Sequence, residues 1–356
     1  MGALNIYFHV VDANPASGKD SFNLTAFGRV LHSYSVLRRL RRDNQSLIVM
    51  INSFTPRHIA IGMVAKSLRL PLLLRSRGGM WREVSDRWQF RPFPIKQLFS
   101  GYHSLCRRLM LSLVDGIIPV SYFLKNQIIC STDIDPDKVM PVYNPIDFAV
   151  FDRAQEGNFR KKAKIADDKR VILTVTGFDY YKKYMGITHY LPAILQVLRE
   201  NRDWCFAIAG AGYSIERARR SILEMVPEDI KDRIIFTGYY RPIEEAFRDA
   251  DIVVNLAFRE TLGMVVLEAQ AAGKPVVVND FGGMPELVHS RYDKPDCVIK
   301  EVSELYQSLT TLVNSQELRE STGRKNRQTI EKEFTQESIG DDFCRVVSSL
   351  IGKRRK

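Results

Sequence analysis

Residues 251–288 read DIVVNLAFRETLGMVVLEAQAAGKPVVVNDFGGMPELV. An apolar run of strand length, DIVVNLAF, is followed by a turn containing Gly263 and then by a longer apolar run that ends in AAG. Gly273 reads as a helix stop, and Pro275 opens a second β-branched run, PVVVN. A Gly282–Gly283 turn and the start of another helical pattern close the stretch. Strand, helix, strand, helix is the repeat of a parallel sheet with crossover helices. The fold class predicted here is therefore α/β.

The alternation extends along the chain. Strand candidates in the first half are Asn5–Asp12, Ser46–Ser53, Leu70–Arg75, Gly116–Val120 and Val139–Tyr143. Helical patterns separate them at Phe22–Arg42, His58–Arg69, Gln97–Val114 and Tyr122–Cys130. In the second half the strand candidates are Arg170–Thr176, Trp204–Ala209, Arg233–Thr237, Asp251–Ala257, Pro275–Asn279 and Cys297–Ile299. Helices are expected to begin near Gly186, Ile215, Pro242, Gly263, Met284 and Ser303. Between the halves, the polar stretch from Tyr143 to Arg170 lacks a strong period and reads as a linker. The predicted architecture is two doubly wound, Rossmann-like domains facing a cleft, residues 1–150 and 151–335. Residues 336–356 add a final amphipathic helix, able to pack back on the first domain, and a basic tail. Ligands of such sheets bind beyond the carboxyl ends of the strands.

Composition narrows the class. With 45% hydrophobic and 26% charged residues the chain reads as globular. Its apolar runs fall short of the ~20 residues a spanning helix needs. The N-terminus MGALNIYFHVVDANP has no basic leader and reads as a first strand. Five scattered cysteines without a C-x-x-C pair suggest reduced thiols and a cytoplasmic protein. No His pair has metal-site spacing, so no metal and no resident cofactor are expected. Net charge is +11, and residues 1–150 carry 19 Lys and Arg against 10 Asp and Glu. The first half is thus expected to face an anionic partner.

Two phosphate motifs fail. In NPASGKDS, Ala13 stands where the first glycine of a phosphate loop belongs, and Asp20 replaces the magnesium-binding hydroxyl. GAGYSI (Gly210–Ile215) follows a strand, but Ile215 stands where a dinucleotide fingerprint needs Gly or Ala. It reads as a tight turn that can lie beside another nucleotide.

Two glutamates in ETLGMVVLE do not fail. Glu260 and Glu268 bracket seven uncharged residues, and an unpaired charge in an apolar run is costly. Were all of them helical, the pair would be separated by ~12 Å of rise and about 80° of rotation. That is too far for a carboxylate pair acting on one bond, which needs about 5–9.5 Å. The two suit acceptors of hydroxyl groups along an elongated ligand. Between them, the helix-start N–H groups around Leu262, Gly263 and Met264 favour phosphate. Hydroxyl, phosphate, hydroxyl is the layout of a nucleotide-diphosphate sugar.

This segment resembles the E-x7-E region of retaining GT-B glycosyltransferases, particularly glycosyltransferase family 4. The likeness extends to GGMPE (Gly282–Glu286), IIFTGYY (Ile234–Tyr240), FAIAGAG (Phe206–Gly212), VYNPID (Val142–Asp147) and RSRGGMW (Arg75–Trp81). It covers almost the whole chain but is specific mainly in residues 251–288. The resemblance implies that Glu268 binds the ribose hydroxyls and Glu260 the transferred sugar, with Thr261 and the backbone of Leu262–Met264 at the diphosphate. It puts Tyr240 at the base through its main chain, Gly18 near the phosphates with Ser17 replacing a first glycine, and Gly177 and Gly210 in donor-site turns. In GFDYYKKYMG, Lys182 or Lys183 would supply the diphosphate cation, while Phe178 occupies the usual arginine position. Arg77 is the candidate replacement. A solvated loop remains an equal reading for the two lysines, and a solvated surface for Arg77.

The expected activity is metal-independent, retaining transfer of a sugar from a nucleotide-diphosphate sugar to a glycan or polyprenyl-linked glycan, in surface polysaccharide or lipopolysaccharide synthesis. PIKQLFSGYHSLCRRLMLSL (Pro94–Leu113) mixes cations with apolar residues, as a segment lying on an anionic membrane would. A core helix with snorkelling basic ends reads equally well. The protein is expected to be cytoplasmic and peripheral at the inner face of the cell membrane. Two alternatives are a nucleotide-sugar epimerase of the same fold, for which no placed acid/base pair is visible, and a nucleic-acid-binding module. No DNA- or RNA-binding motif supports the latter, so no nucleic-acid partner is expected.

Overall fold

The computed structural model describes residues 34–42, 47–78, 95–288 and 297–352. The strand expected at Asn5–Asp12, Gly18, the stretch NPASGKDS and the tail Lys353–Lys356 lie outside the described residues. The chain divides into two compact units with the boundary between Val142 and Tyr143. The first takes in the described residues up to Val142 together with those from Gly340 onward. The second is Tyr143–Ile339.

In the first unit the described strands are β1 (Val49–Ile51), β2 (Leu72–Ser76) and β3 (Gly116–Pro119), parallel and in that order. Leu72, Leu73 and Leu74 are fully buried. A continuous apolar run is what a parallel strand covered on both faces requires. The helices Pro56–Ser67 and Ile95–Leu113 make the crossovers between these strands or part of them. Asp115, just before β3, accepts from the Leu72 N–H at 2.8 Å and pairs with Lys66 at 2.6 Å, fixing the start of β2. Residues 34–42 are helical. Leu350, on the closing helix Gln336–Gly352, lies directly against Gly116, where an added Cβ would come within 2.8 Å of its Cδ1.

One strand expectation is corrected. Val139–Tyr143 does not form a strand. It makes a single bridge from Val139 to Ile117, and the Met140 and Val142 N–H groups donate to Ile117 and Pro119. A parallel ladder would next need the N–H of residue 119 to donate to the Met140 carbonyl, and residue 119 is proline, so the ladder does not continue.

The second unit holds six parallel strands: β4 (Arg170–Val175), β5 (Trp204–Ala209), β6 (Ile234–Gly238), β7 (Ile252–Asn255), β8 (Val276–Asn279) and β9 (Val298–Ile299). Their spatial order is β6-β5-β4-β7-β8-β9. Counted from β4 this is 3-2-1-4-5-6, the doubly wound order that opens a crevice where the direction of winding reverses. That switch point falls between β4 and β7, which pair through Ile172 with Ile252 and Leu173 with Val253. The core is mainly apolar, with Phe206, Ile252 and Leu309 fully buried.

Residues 143–169, read from the sequence as a linker, contain the short helices Phe148–Asp152 and Asn158–Ala163 and are docked within this unit. Asp249 accepts from the Gly157 N–H at 2.6 Å, and Glu245 accepts from Asn158 at 2.9 Å. The helix expected near Gly186 begins five residues earlier, at Tyr181, and runs to Glu200. Gly186 is inside it for a tertiary reason: a Cβ there would collide with the carbonyl of Leu256, just beyond β7. The glycine lets the helix lie on the strand end.

Candidate functional site

The predicted donor residues of the second unit gather at the carboxyl ends of its strands, on both sides of the switch point. Gly177 follows β4, Gly210 follows β5, Tyr240 follows β6, and Glu260 to Gly263 follow β7. The tight turn at Gly210 has φ 148°, and its N–H donates to the Gly238 carbonyl at 2.9 Å.

Two turns meet across the switch point. Because the helix starts at Tyr181, Lys182 and Lys183 sit in its first turn rather than in a loop. The Phe258 N–H donates to the Lys182 carbonyl at 3.0 Å, tying the segment after β7 to that turn. Lys182 is exposed. Lys183 turns inward, 3.6 Å from the Glu260 carboxylate, with its stem over Gly177. The side chains of Lys183 and Glu260 retain 32% and 20% of their exposure. A pair this wet contributes at most about 1 kcal/mol to stability. Its interest lies in two opposite charges held within reach of a ligand.

Glu260 is fixed from behind. A Cβ on Gly282 would collide with the Glu260 carbonyl, and one on Gly283 with the Thr261 carbonyl. The Gly-Gly turn after β8 thus lies flush against the turn after β7. Thr261, half-buried, donates its N–H to Glu260 Oε1 at 3.2 Å. Leu262 is buried and anchors the turn. Gly263 has φ 94° and ψ 61°, left-handed backbone that favours glycine, and a Cβ there would meet Met284 at 2.7 Å.

The helix Met264–Ala271 starts only after that glycine, and no side chain caps it. Glu260 to Gly263 are therefore not helical, and Glu268 stands one turn into the helix rather than two. The Val266 N–H donates to the Gly263 carbonyl at 2.8 Å, which leaves those of Met264 and Val265, ahead of any intrahelical acceptor, at the positive end of the helix dipole. Met264 also receives the Asn144 amide, 3.7 Å from its sulfur.

Glu268 is the most perturbed carboxyl of the site. Burial pushes its pKa up to about 7, partly offset by Arg241 and reinforced by Glu244. The sign follows for folding. The ionised form is disfavoured in the native state, so stability falls as pH rises from the unfolded value of about 4.3 towards 7. In the role expected of Glu268, holding hydroxyl groups through its ionised carboxylate, the dependence runs the other way. The affinity of a nucleotide-diphosphate sugar, whose own diphosphate does not titrate in this range, is expected to rise through pH 6–8, and Glu268→Gln is expected to flatten that rise in calorimetry.

The remaining predicted residues lie as follows. Tyr240 is buried, and its hydroxyl donates to Glu245 at 2.8 Å, which leaves its main chain as the part available to a ligand. Its neighbour Tyr239 is 68% exposed, with its hydroxyl 2.9 Å from Arg241 Nε. Phe178, at the expected arginine position, is fully buried against Tyr184 and offers no cation. Arg77 is exposed, directly after β2, in the first unit. Sequence reading missed Arg259. Its guanidinium stacks 4.4 Å over the Tyr180 ring, at the mouth of the helix that carries Lys183 and beside Glu260. The available signal was a cation adjoining Glu260 in a chain lacking arginine at position 178. Among the described residues, no three His, Cys, Asp or Glu side chains cluster as a metal would require.

These features define a doubly wound unit with an uncapped helix start and a Lys183–Glu260 pair at its switch point. Residues 169–315 match the family model described as glycosyl transferases group 1. The match lies wholly within the second unit. An uncharacterized glycosyltransferase of Methanocaldococcus jannaschii is 30% identical over 178 residues, 48% of this chain and 44% of that protein. N-acetyl-alpha-D-glucosaminyl L-malate synthase of Bacillus anthracis is 24% identical over 239 residues, 67% of this chain and 60% of that protein. The matched region thus spans roughly half the length of these curated relatives. The Anabaena HepE structure in complex with UDP and glucose superposes with a TM-score of 0.70 at 16% identity, over 95% of this chain and 84% of that one. The fold of the chain is GT-B.

Proposed function

We propose that the protein transfers a sugar from a nucleotide-diphosphate sugar to a glycan or lipid-linked glycan, with retention of configuration and without a metal. The observation that carries this is the meeting of Lys183 with Glu260 beside an uncapped helix start, with Glu268 one turn along. Glu268 holds the ribose hydroxyls. The N–H groups at the start of Met264–Ala271 hold the diphosphate, and Glu260 holds the sugar. Lys183 moves from Glu260 towards the diphosphate when donor enters, and Arg259 supplies the second cation that Phe178 cannot.

Charge develops on the diphosphate as the glycosidic bond breaks. A fixed helix start and two cations stabilise that charge electrostatically. With no nucleophile assigned to the protein, retention follows from attack by the acceptor hydroxyl on the face the diphosphate leaves: the bond to the acceptor oxygen forms as the bond to the diphosphate breaks, and the hydroxyl proton passes to the departing phosphate oxygen. UDP and glucose in the HepE structure support a nucleoside-diphosphate donor. The surplus of cations in the first half supports an anionic, lipid-borne acceptor in surface polysaccharide assembly.

The test is Glu268→Ala. Hydrogen bonds to a charged group contribute about 1.5–3 kcal/mol each, so losing the ribose carboxylate is expected to weaken donor binding on the order of 10²-fold. Donor affinity and turnover within a factor of three of wild type would remove the assignment.

A further inference from the structure

The helix Ile95–Leu113 packs by one flank only. Cys106 and Met110 are buried at 5% and 0% exposure. The adjoining flank is apolar but uncovered: Leu98, Tyr102, Leu105 and Leu109 are 76%, 45%, 56% and 46% exposed. Their offsets of four, three and four residues place them in one stripe along the helix, at 100° per residue. The stripe runs ~16 Å from Leu98 to Leu109 at 1.5 Å per residue. Four large apolar side chains in one exposed row is the arrangement of an interaction surface, unlike scattered single residues.

Charge says what covers it. The helix carries Lys96, Arg107 and Arg108 and not one carboxylate. The helix at 34–42 carries Arg38, Arg39, Arg41 and Arg42, again with no carboxylate. Arg38, Arg39, Arg42 and Arg108 are exposed. A second copy of the chain is a poor occupant. A two-fold interface sets a surface against itself, and this helix has no carboxylate to offer its own arginines. An anionic lipid surface complements both features, with an apolar layer for the stripe and negative charge for the exposed Arg38, Arg39, Arg42 and Arg108.

We infer that the exposed stripe Leu98–Tyr102–Leu105–Leu109 seats the first unit on an anionic lipid bilayer, with the helix Ile95–Leu113 lying in the plane of the headgroups. Sequence alone left this helix equally readable as a core element; the exposure of its second flank decides between the two. The inference goes beyond the donor chemistry and stands whether or not the second unit binds a nucleotide.

The test uses the full chain and sedimentation with vesicles of phosphatidylcholine, with or without phosphatidylglycerol, at low and physiological salt. Wild type is expected to bind the anionic vesicles at least tenfold more tightly than the neutral ones, and less tightly as salt rises. The double variant Leu105→Glu/Leu109→Glu is expected to lose at least tenfold on the anionic vesicles, and Leu98→Ser to lose less. Both changes fall on exposed positions; an unchanged melting temperature and unchanged nucleoside-diphosphate binding show that the variants are folded. Equal partition of wild type onto both vesicle types, no loss in the double variant, or a stripe-dependent dimer in light scattering without vesicle binding would each overturn the inference.

Discussion

Lys183→Ala is expected to lower turnover by about 10²–10³-fold while leaving nucleoside binding nearly intact. The ammonium stands 3.6 Å from Glu260 and over Gly177, where the diphosphate is proposed to lie. Removing one preorganised stabiliser of developing charge costs about that factor in kcat. The loss should appear mainly in kcat, because the charge it meets grows as the sugar leaves. Lys183→Arg keeps the charge but not the compact ammonium and should recover only part of the rate. The measurement is steady-state turnover of donor with acceptor present, alongside calorimetry with nucleoside and nucleoside diphosphate. A Lys183→Ala enzyme within threefold of wild type in kcat would show that the cation at this turn plays no part in the chemistry.

Gly282→Ala is expected to do comparable damage without removing any polar group. The new methyl would occupy the position of the Glu260 carbonyl, so the turn after β7 must move. Overpacking of this kind costs about 1–3 kcal/mol, which for a unit of this size lowers Tm by roughly 2–10 °C. Donor binding should fall at least about tenfold, because displacement by 1 Å is enough to misplace a ligand-holding group. Gly340→Ala is the control. Nothing lies within 4 Å of its Cβ position inside the helix Gln336–Gly352, so the change should be neutral or stabilise by up to about 1 kcal/mol. Equal effects of the two substitutions on donor affinity would argue against the close fit of the two turns.

Period and punctuation located all six strands of the second unit to within two residues. Buried parallel strands such as VVVN and WCFAIA leave little choice in sequence. What was not legible depended on contacts between distant positions. Gly186 looked like a helix start because glycine is poor inside helices; its reason for being there is the Leu256 carbonyl, 70 positions away. Val139–Tyr143 had strand composition, but one proline at the edge of β3 stopped the ladder. The pair Glu260 and Glu268 was visible as a pattern, yet its spacing assumed a helix that begins only at Met264. Lys183 could be named from sequence alone. Its choice over Lys182, and the approach of Arg259 to Tyr180, came from the direction each side chain takes once the turns are packed.

The glycines at 186, 282 and 283 do more than permit close packing. They remove the adjustable parts from between the strands and the groups proposed to hold the donor. A side chain can swing and a loop can drift, but backbone set on backbone transmits position like one machined face on another. Attempts to alter the proposed donor specificity therefore have more latitude at the solvent-facing Tyr239, which is 68% exposed. They have almost none along those three seams, where even a methyl group would retune the whole site.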